Sequence, residues 1–222
     1  MKVACLYSGG KDSTYAAWIA LSQGYEVETL VTAFPKKESF MFHHPNVKWC
    51  ALQAEALEIP ITFFQARKGE EEEIEDLKNV LSKLKIDAVV SGAIASEYQK
   101  EKIDWVGDEL GIKSFAPLWH KNQKMLLKEM VESGMKIVFS GVSAEGLGKE
   151  WLGKELDEKA LKKLEETTER YGLNPAFEGG EAETFVVDAP FFKKKIEIKK
   201  AEKEWDGSSG VMVIEEAELA EK

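Results

Sequence analysis

Val3-Ala4-Cys5-Leu6-Tyr7-Ser8-Gly9-Gly10-Lys11-Asp12-Ser13 is the stretch whose reading decides the fold. An apolar run feeds a glycine pair, and a segment that reads as helix follows over residues 12–23. Ala16, Ala17, Ile19 and Ala20 give that segment an apolar face, and Gly24 is placed to end it. A strand passing through two glycines into a helix presents backbone N–H groups to an anion. Glycine removes the Cβ from the path of approach, and the helix adds orphan N–H groups and the positive end of its dipole. The spacing is wrong for a Walker loop, which puts four residues between its first Gly and Gly-Lys-Ser/Thr. It also lacks the third glycine of a dinucleotide fingerprint. The plain alternative is a strand-to-helix turn capped by Asp12 or Ser13.

Outward from this loop, strands and helices alternate. Strands are expected at 27–34, 61–65, 88–90 and 114–116, and helices at 47–57, 70–84, 97–110 and 122–133. Pro45 blocks an earlier start to the helix at 47, and Asn46 is its expected cap. Ile74, Leu77, Leu81 and Leu84 recur at three- and four-residue steps and supply the buried stripe of the helix at 70–84. The first four strands are short, apolar and unalternating, as in strands buried on both faces. Right-handed crossovers then give an α/β fold, a five-stranded parallel sheet with helices on both faces, Rossmann-like in layout. Ligands bind such sheets beyond the carboxyl ends of the strands. The glycine loop, the loop containing His43 and the Ser91-Gly92-Ala93-Ile94 loop all belong to that edge.

The pattern changes after Gly134. A strand at 136–142, an irregular segment rich in glycine, a helix at 157–171 and a strand at 185–187 follow. Ile196, Ile198, a turn at Gly207/Gly210, Val211 and Val213 complete the chain. Residues 1–134 are read as a nucleotide-binding domain, and 135–222 as a smaller, mixed α+β substrate-recognition domain.

The 222 residues are 44% hydrophobic and 32% charged, the composition of a soluble globular protein, with a formal net charge of −10. That charge argues against broad binding to nucleic-acid backbone. Lys193-Lys194-Lys195 is the visible basic patch, and its simpler reading is a solvated loop. Cys5 and Cys50 are the two cysteines and form no Cys-x-x-Cys pair, so a disulfide framework and a cysteine-rich zinc site are not expected. No stretch is long and apolar enough to span a membrane, and no signal peptide is expected, which indicates a cytoplasmic protein. The surplus of Lys and Glu over Asn and Gln leans towards a thermophilic source. A homodimer is compatible with the sequence.

Two groups of residues carry candidate chemistry. Ser8, Gly9, Gly10, Lys11, Asp12 and Ser13 would hold phosphates through backbone N–H groups and two hydroxyls. A charge near a helix N-terminus gains roughly 0.3–1 kcal/mol, too little for a polyphosphate, so Lys11 and a divalent cation should contribute. Asp12 beside phosphates is repulsive unless it holds Mg²⁺, directly or through water. The second group is Glu178, Glu181 and Glu183 around Gly179-Gly180: three carboxylates within six residues. Such a cluster suits a cationic substrate, a metal, or an amine losing a proton; the plain alternative is a solvated turn. Gly92 and Ile94 are placed to flank an adenine, while His43, Tyr98 and Gln99 are candidate nucleotide or substrate contacts.

Ser-Gly-Gly-x-Asp-Ser resembles the loop of the ATP pyrophosphatases, which split ATP into AMP and pyrophosphate. The whole chain is similar to the diphthine–ammonia ligase family of that superfamily. Matches are Ser8-Gly9-Gly10-Lys11-Asp12-Ser13, Met41-Phe42-His43-His44-Pro45-Asn46, Ser91-Gly92-Ala93-Ile94, Tyr98-Gln99, Ala116-Pro117-Leu118-Trp119 and Trp151-Leu152-Gly153. The most specific is Glu178-Gly179-Gly180-Glu181-Ala182-Glu183-Thr184-Phe185. Phe177 stands where the family pattern has Gly, and Ala182 where it has Tyr. The resemblance implies amidation of diphthine on translation elongation factor 2 by free ammonia, with ATP and Mg²⁺, through an acyl-adenylate. It implies Asp12, Glu181 and Glu183 as catalytic groups. Glu178, Gly179, Gly180 and Thr184 would join Glu181 and Glu183 at the substrate, whose trimethylammonium the acids would neutralise with help from an aromatic face such as Trp119. A tRNA-modifying relative and a non-catalytic ATP- or AMP-binding module are the alternatives. If Asp12 holds the metal, Asp12→Asn lowers turnover far more than the thermal unfolding midpoint; retained activity in a steady-state assay removes the metal role.

Overall fold

Parallel strands β1 (Lys2–Leu6), β2 (Glu26–Pro35), β3 (Ile61–Ala66), β4 (Ala88–Val90) and β5 (Lys113–Phe115) form a sheet in the order β3-β2-β1-β4-β5. The structure, a computed structural model, describes residues 1–35, 46–67 and 69–222. Helices α1 (Lys11–Ser22), α2 (Cys50–Leu57), α3 (Glu70–Leu81) and α4 (Glu97–Leu110) alternate with these strands. The strand order runs outward from β1 through β2 to β3, then returns to β4 on the other side of β1. The switch point lies between β1 and β4, where doubly wound sheets bind ligands.

The reason for two-sided cover is legible in the burial. Val3, Ala4 and Cys5 are 0–1% exposed and Ala88, Val89 and Val90 are all 0% exposed. Successive strand residues point to opposite faces, so both faces of β1 and β4 are packed. On one face Ala4, Val31 and Val89 meet Leu81 of α3 and Val106 of α4, bordered by Ile74, Leu77, Ile103 and Leu110. α3 ends at Leu81, short of the stripe's last member; Leu84 follows in a turn closed by its N–H to Leu81 O and still packs on the same core. Asn46 is not the cap expected of it. A 3₁₀ turn at Val47–Trp49 precedes α2, and the Asn46 side chain makes no capping hydrogen bond. Ser96 does cap α4, its Oγ accepting the Gln99 N–H, and Gly111 ends that helix at φ 66°.

The chain divides into two compact units, Met1–Ser8 with Asp12–Trp119, and Gly9–Lys11 with His120–Lys222. The second unit contains α5 (Gln123–Glu132), β6 (Lys136–Val142), α6 (Glu158–Tyr171), β7 (Ala182–Asp188), β8 (Lys195–Trp205) and β9 (Gly210–Ala220). Its strands pair antiparallel in the order β7-β6-β9-β8. α6 is capped by Asp157, which accepts the Ala160 N–H at 2.7 Å, and stops at Gly172. Ala160, Leu161 and Leu164 of α6 are buried, as are Ile137, Phe139, Trp151, Phe185, Val186 and Ile214 of this unit. β8 and β9 run 11 residues each, longer than Ile196/Ile198 and Val211/Val213 indicate. Much of β8 is exposed, so no apolar alternation marks its length.

Two outcomes test this architecture. A Cβ at position 92 would fall 2.8 Å from both the Asp12 carbonyl carbon and the Ser13 nitrogen, so β4 and the start of α1 meet this closely only with glycine there. Gly92→Ala should lower stability by about 1–3 kcal/mol in thermal unfolding. In the β8–β9 turn, Asp206 accepts the Ser209 N–H at 2.7 Å and the Ser208 N–H at 2.8 Å. These bonds, that from Ser209 foremost, hold its carboxyl well below the usual carboxylate range. A depressed folded-state value gives stability that is present above the unfolded value of about 4 and is lost as pH falls towards the folded one. The difference in melting temperature between the native chain and Asp206→Ala should therefore shrink from neutral pH to about pH 2.

Candidate functional site

In the first unit the strand-to-helix loop closes on itself. Ser13 Oγ accepts the Ser8 N–H at 3.2 Å and lies 3.2 Å from Ser8 Oγ. Tyr7 behind it is buried, its hydroxyl accepting from Thr14 at 3.1 Å. Burial pushes the Tyr7 phenol well above its ordinary value. Gly92 abuts the Asp12–Ser13 backbone, as described above, which gives its missing side chain a packing reason. Ile94 is 0% exposed and belongs to the core. Tyr98 is exposed, with the Lys102 ammonium 5.3 Å from its ring, and the Gln99 N–H serves the α4 cap. Lys100 Nζ stands 5.9 Å from the Trp119 ring centroid, so a cation already faces that aromatic. Burial pushes the thiols of Cys5 and Cys50 up to about 12, which leaves neither as a thiolate at neutral pH.

In the second unit the glycines of the loop and the acidic motif are bonded together. The Val186 N–H donates to Gly9 O at 3.0 Å, and the Lys11 N–H donates to Thr184 Oγ1 at 3.1 Å. Gly9 takes φ 80° to make this approach, a conformation that costs glycine little. Lys11 is 3% exposed; its ammonium donates to Ala176 O at 2.7 Å and lies 5.0 Å from the Phe177 ring centroid. Expected from sequence to face phosphate, this charge has partners within residues 174–181.

Those residues are shaped by two side chains. Asn174 Oδ1 accepts the N–H groups of Ala176 and Glu178, at 3.0 and 3.2 Å. Glu181 Oε1 accepts the Asn174 N–H at 2.8 Å, and its Oε2 accepts the Gly179 N–H at 2.9 Å. Ser143 ties down the far side, its hydroxyl donating to Gly180 O and its N–H to Glu181 O. Glu181 is thus a carboxylate spent on its own loop, whereas Glu183 sits half-buried on β7 opposite Gly141. Glu178 is half-buried and Gly179 and Gly180 are exposed. Phe177 holds φ 67°, the left-handed conformation that glycine adopts freely. The sequence reading passed over Asn174, Ser143 and Ala176. Asn174-Pro175 is a turn signal that points to the first; nothing local marks the others. His43, with its neighbours 41–45, lies outside the described residues.

Among the described residues no group of three His, Cys, Asp or Glu side chains gathers around a point that would hold a metal. Asp12 alone fits an ion carried mainly by phosphate oxygens and water, as Mg²⁺ usually is. No helix among the described residues is long and apolar enough to cross a membrane.

Two known family models match successive parts of the chain. The model of the diphthamide synthase N-terminal domain matches residues 1–114, and that of the diphthamide synthase C-terminal domain matches residues 122–220. A diphthine–ammonia ligase of Mus musculus is 35% identical over 227 residues, covering 91% of this chain and 84% of its own length. One of Danio rerio is 34% identical over 226 residues, covering 91% and 88%. One of Schizosaccharomyces pombe is 35% identical over 225 residues, covering 91% of this chain but 37% of that protein. With both domains matched in order and relatives at this level across nearly the whole chain, the chain belongs to the diphthamide synthase family.

Proposed function

We propose that this chain is an ATP-dependent, AMP-forming ligase that amidates the carboxylate of diphthine on translation elongation factor 2 with free ammonia. The observation that carries the reading is the pairing of Gly9–Lys11 with β7, the strand that holds Glu183. A module that only sensed ATP or AMP would have no use for an acidic strand bonded to its phosphate loop.

A carboxylate resists ammonia because oxide is a poor leaving group. Its oxygen therefore attacks the α-phosphorus of ATP, the α–β phosphoanhydride breaks, and pyrophosphate leaves towards Ser8, Gly9, Gly10 and Ser13. Ammonia then adds to the acyl carbon, a proton passes to a carboxylate, and AMP departs as the C–O bond to phosphate breaks. Glu183 is the group assigned to that proton, because it stands half-buried on β7, the strand that Gly9 and Lys11 meet. Glu178, half-buried in its loop, offers negative charge to the trimethylammonium of the substrate. Asp12 would hold Mg²⁺, whose charge offsets that of the polyphosphate. The buried thiols of Cys5 and Cys50 are unsuited to sulfur transfer, which argues against sulfur chemistry on RNA.

Incubation with ATP, ammonium and diphthine-bearing elongation factor should yield AMP and pyrophosphate in step with amide. Glu183→Gln should abolish turnover and leave ATP affinity within about twofold. Formation of ADP, independence from ammonium, or an active Glu183→Gln would sink the proposal.

A further inference from the structure

α1 opens at Lys11, and the first N–H groups of a helix have no partner inside it. The Lys11 N–H is met by Thr184 Oγ1 across 173 residues of sequence. Two residues further along β7, the Val186 N–H holds Gly9 O. β7 is an edge strand of its sheet; an edge strand offers backbone groups to any extended segment laid beside it. The glycine segment takes that place. A Gly-Gly pair has a wide range of backbone conformations, so its peptide planes point where these contacts turn them.

Within the ATP-ligase reading, on which this step rests, Thr184 then has a task other than the substrate contact its motif implies. We infer that Thr184 is a positioning residue for the nucleotide: its hydroxyl oxygen fixes the Lys11 amide, and so the curvature of Gly9–Lys11 around the phosphates. It governs ATP affinity and leaves acceptance of the protein substrate unchanged. Valine at this position keeps the shape and the strand preference of threonine but offers no acceptor. Serine keeps the acceptor.

The test compares the native chain with Thr184→Val and Thr184→Ser by equilibrium ATP binding and by steady-state kinetics. Thr184→Val should weaken ATP binding about tenfold, the worth of one hydrogen bond of this kind, and raise KM for ATP. KM for ammonium and for the elongation factor should stay within about twofold, and Thr184→Ser should match the native chain. Amide hydrogen exchange at Lys11 should quicken in Thr184→Val alone, which reads the contact without nucleotide. Unchanged ATP affinity in Thr184→Val, a Thr184→Ser as weak as Thr184→Val, or a rise confined to KM for the elongation factor overturns the inference. A native chain that binds no ATP overturns the ligase reading itself, a result distinct from all of these.

Discussion

Lys11 carries an ammonium to a position where 3% of the residue meets water. A charge so enclosed is costly unless it is hydrogen-bonded and faces compensating electron density. The carbonyl of Ala176 and the ring of Phe177 supply both. Much of residues 174–181 follows from that requirement. Asn174 gathers the N–H groups on either side of Phe177, and Glu181 binds those of Asn174 and Gly179. The result is a turn stiff enough to hold one carbonyl against one ammonium. The same lysine's backbone, with that of Gly9, is held by β7. One side chain and two backbone groups of the glycine segment therefore bond within the second unit.

Phe177 shows how a departure from the family pattern is accommodated. A residue with a Cβ held at positive φ costs about 1–3 kcal/mol. Burying an aromatic side chain returns roughly 1.5–3 kcal/mol, and Phe177 is 6% exposed, its ring 5.7 Å from that of Phe139. The backbone keeps the conformation glycine would take, while the ring adds a face beneath the Lys11 ammonium. Ala182, where the pattern has Tyr, is buried at the start of β7.

Much of the fold was legible because its signals are local. The apolar runs at Val3–Leu6 and Ala88–Val90, the stripe of α3, and the glycines ending α4 and α6 each speak for themselves within one turn or one strand. Where reading failed, a local signal was outweighed. Asn46 has the right chemistry for a cap, yet a 3₁₀ turn intervenes. β8 has too few buried side chains to mark its length. For the candidate site, the motifs were legible and the contacts were not. Asp12 and Ser13 follow from the loop's own spacing, but the occupation of Glu181 by two backbone N–H groups depends on how the chain turns at Asn174.

The sequence by itself determined a parallel α/β unit with a glycine loop at its first strand end, followed by a second unit with a Glu-Gly-Gly-Glu-x-Glu-Thr motif. Periodicity and glycine spacing depend on neighbours a few residues apart, and those are written in order. Only the tertiary structure decided that Lys11 spends its ammonium on Ala176 and that Thr184 meets the Lys11 amide. Those contacts join residues 165 and 173 positions apart. A hydrogen bond over that separation leaves no period in the chain, because it is set by how distant segments fold together, not by which residues stand beside it.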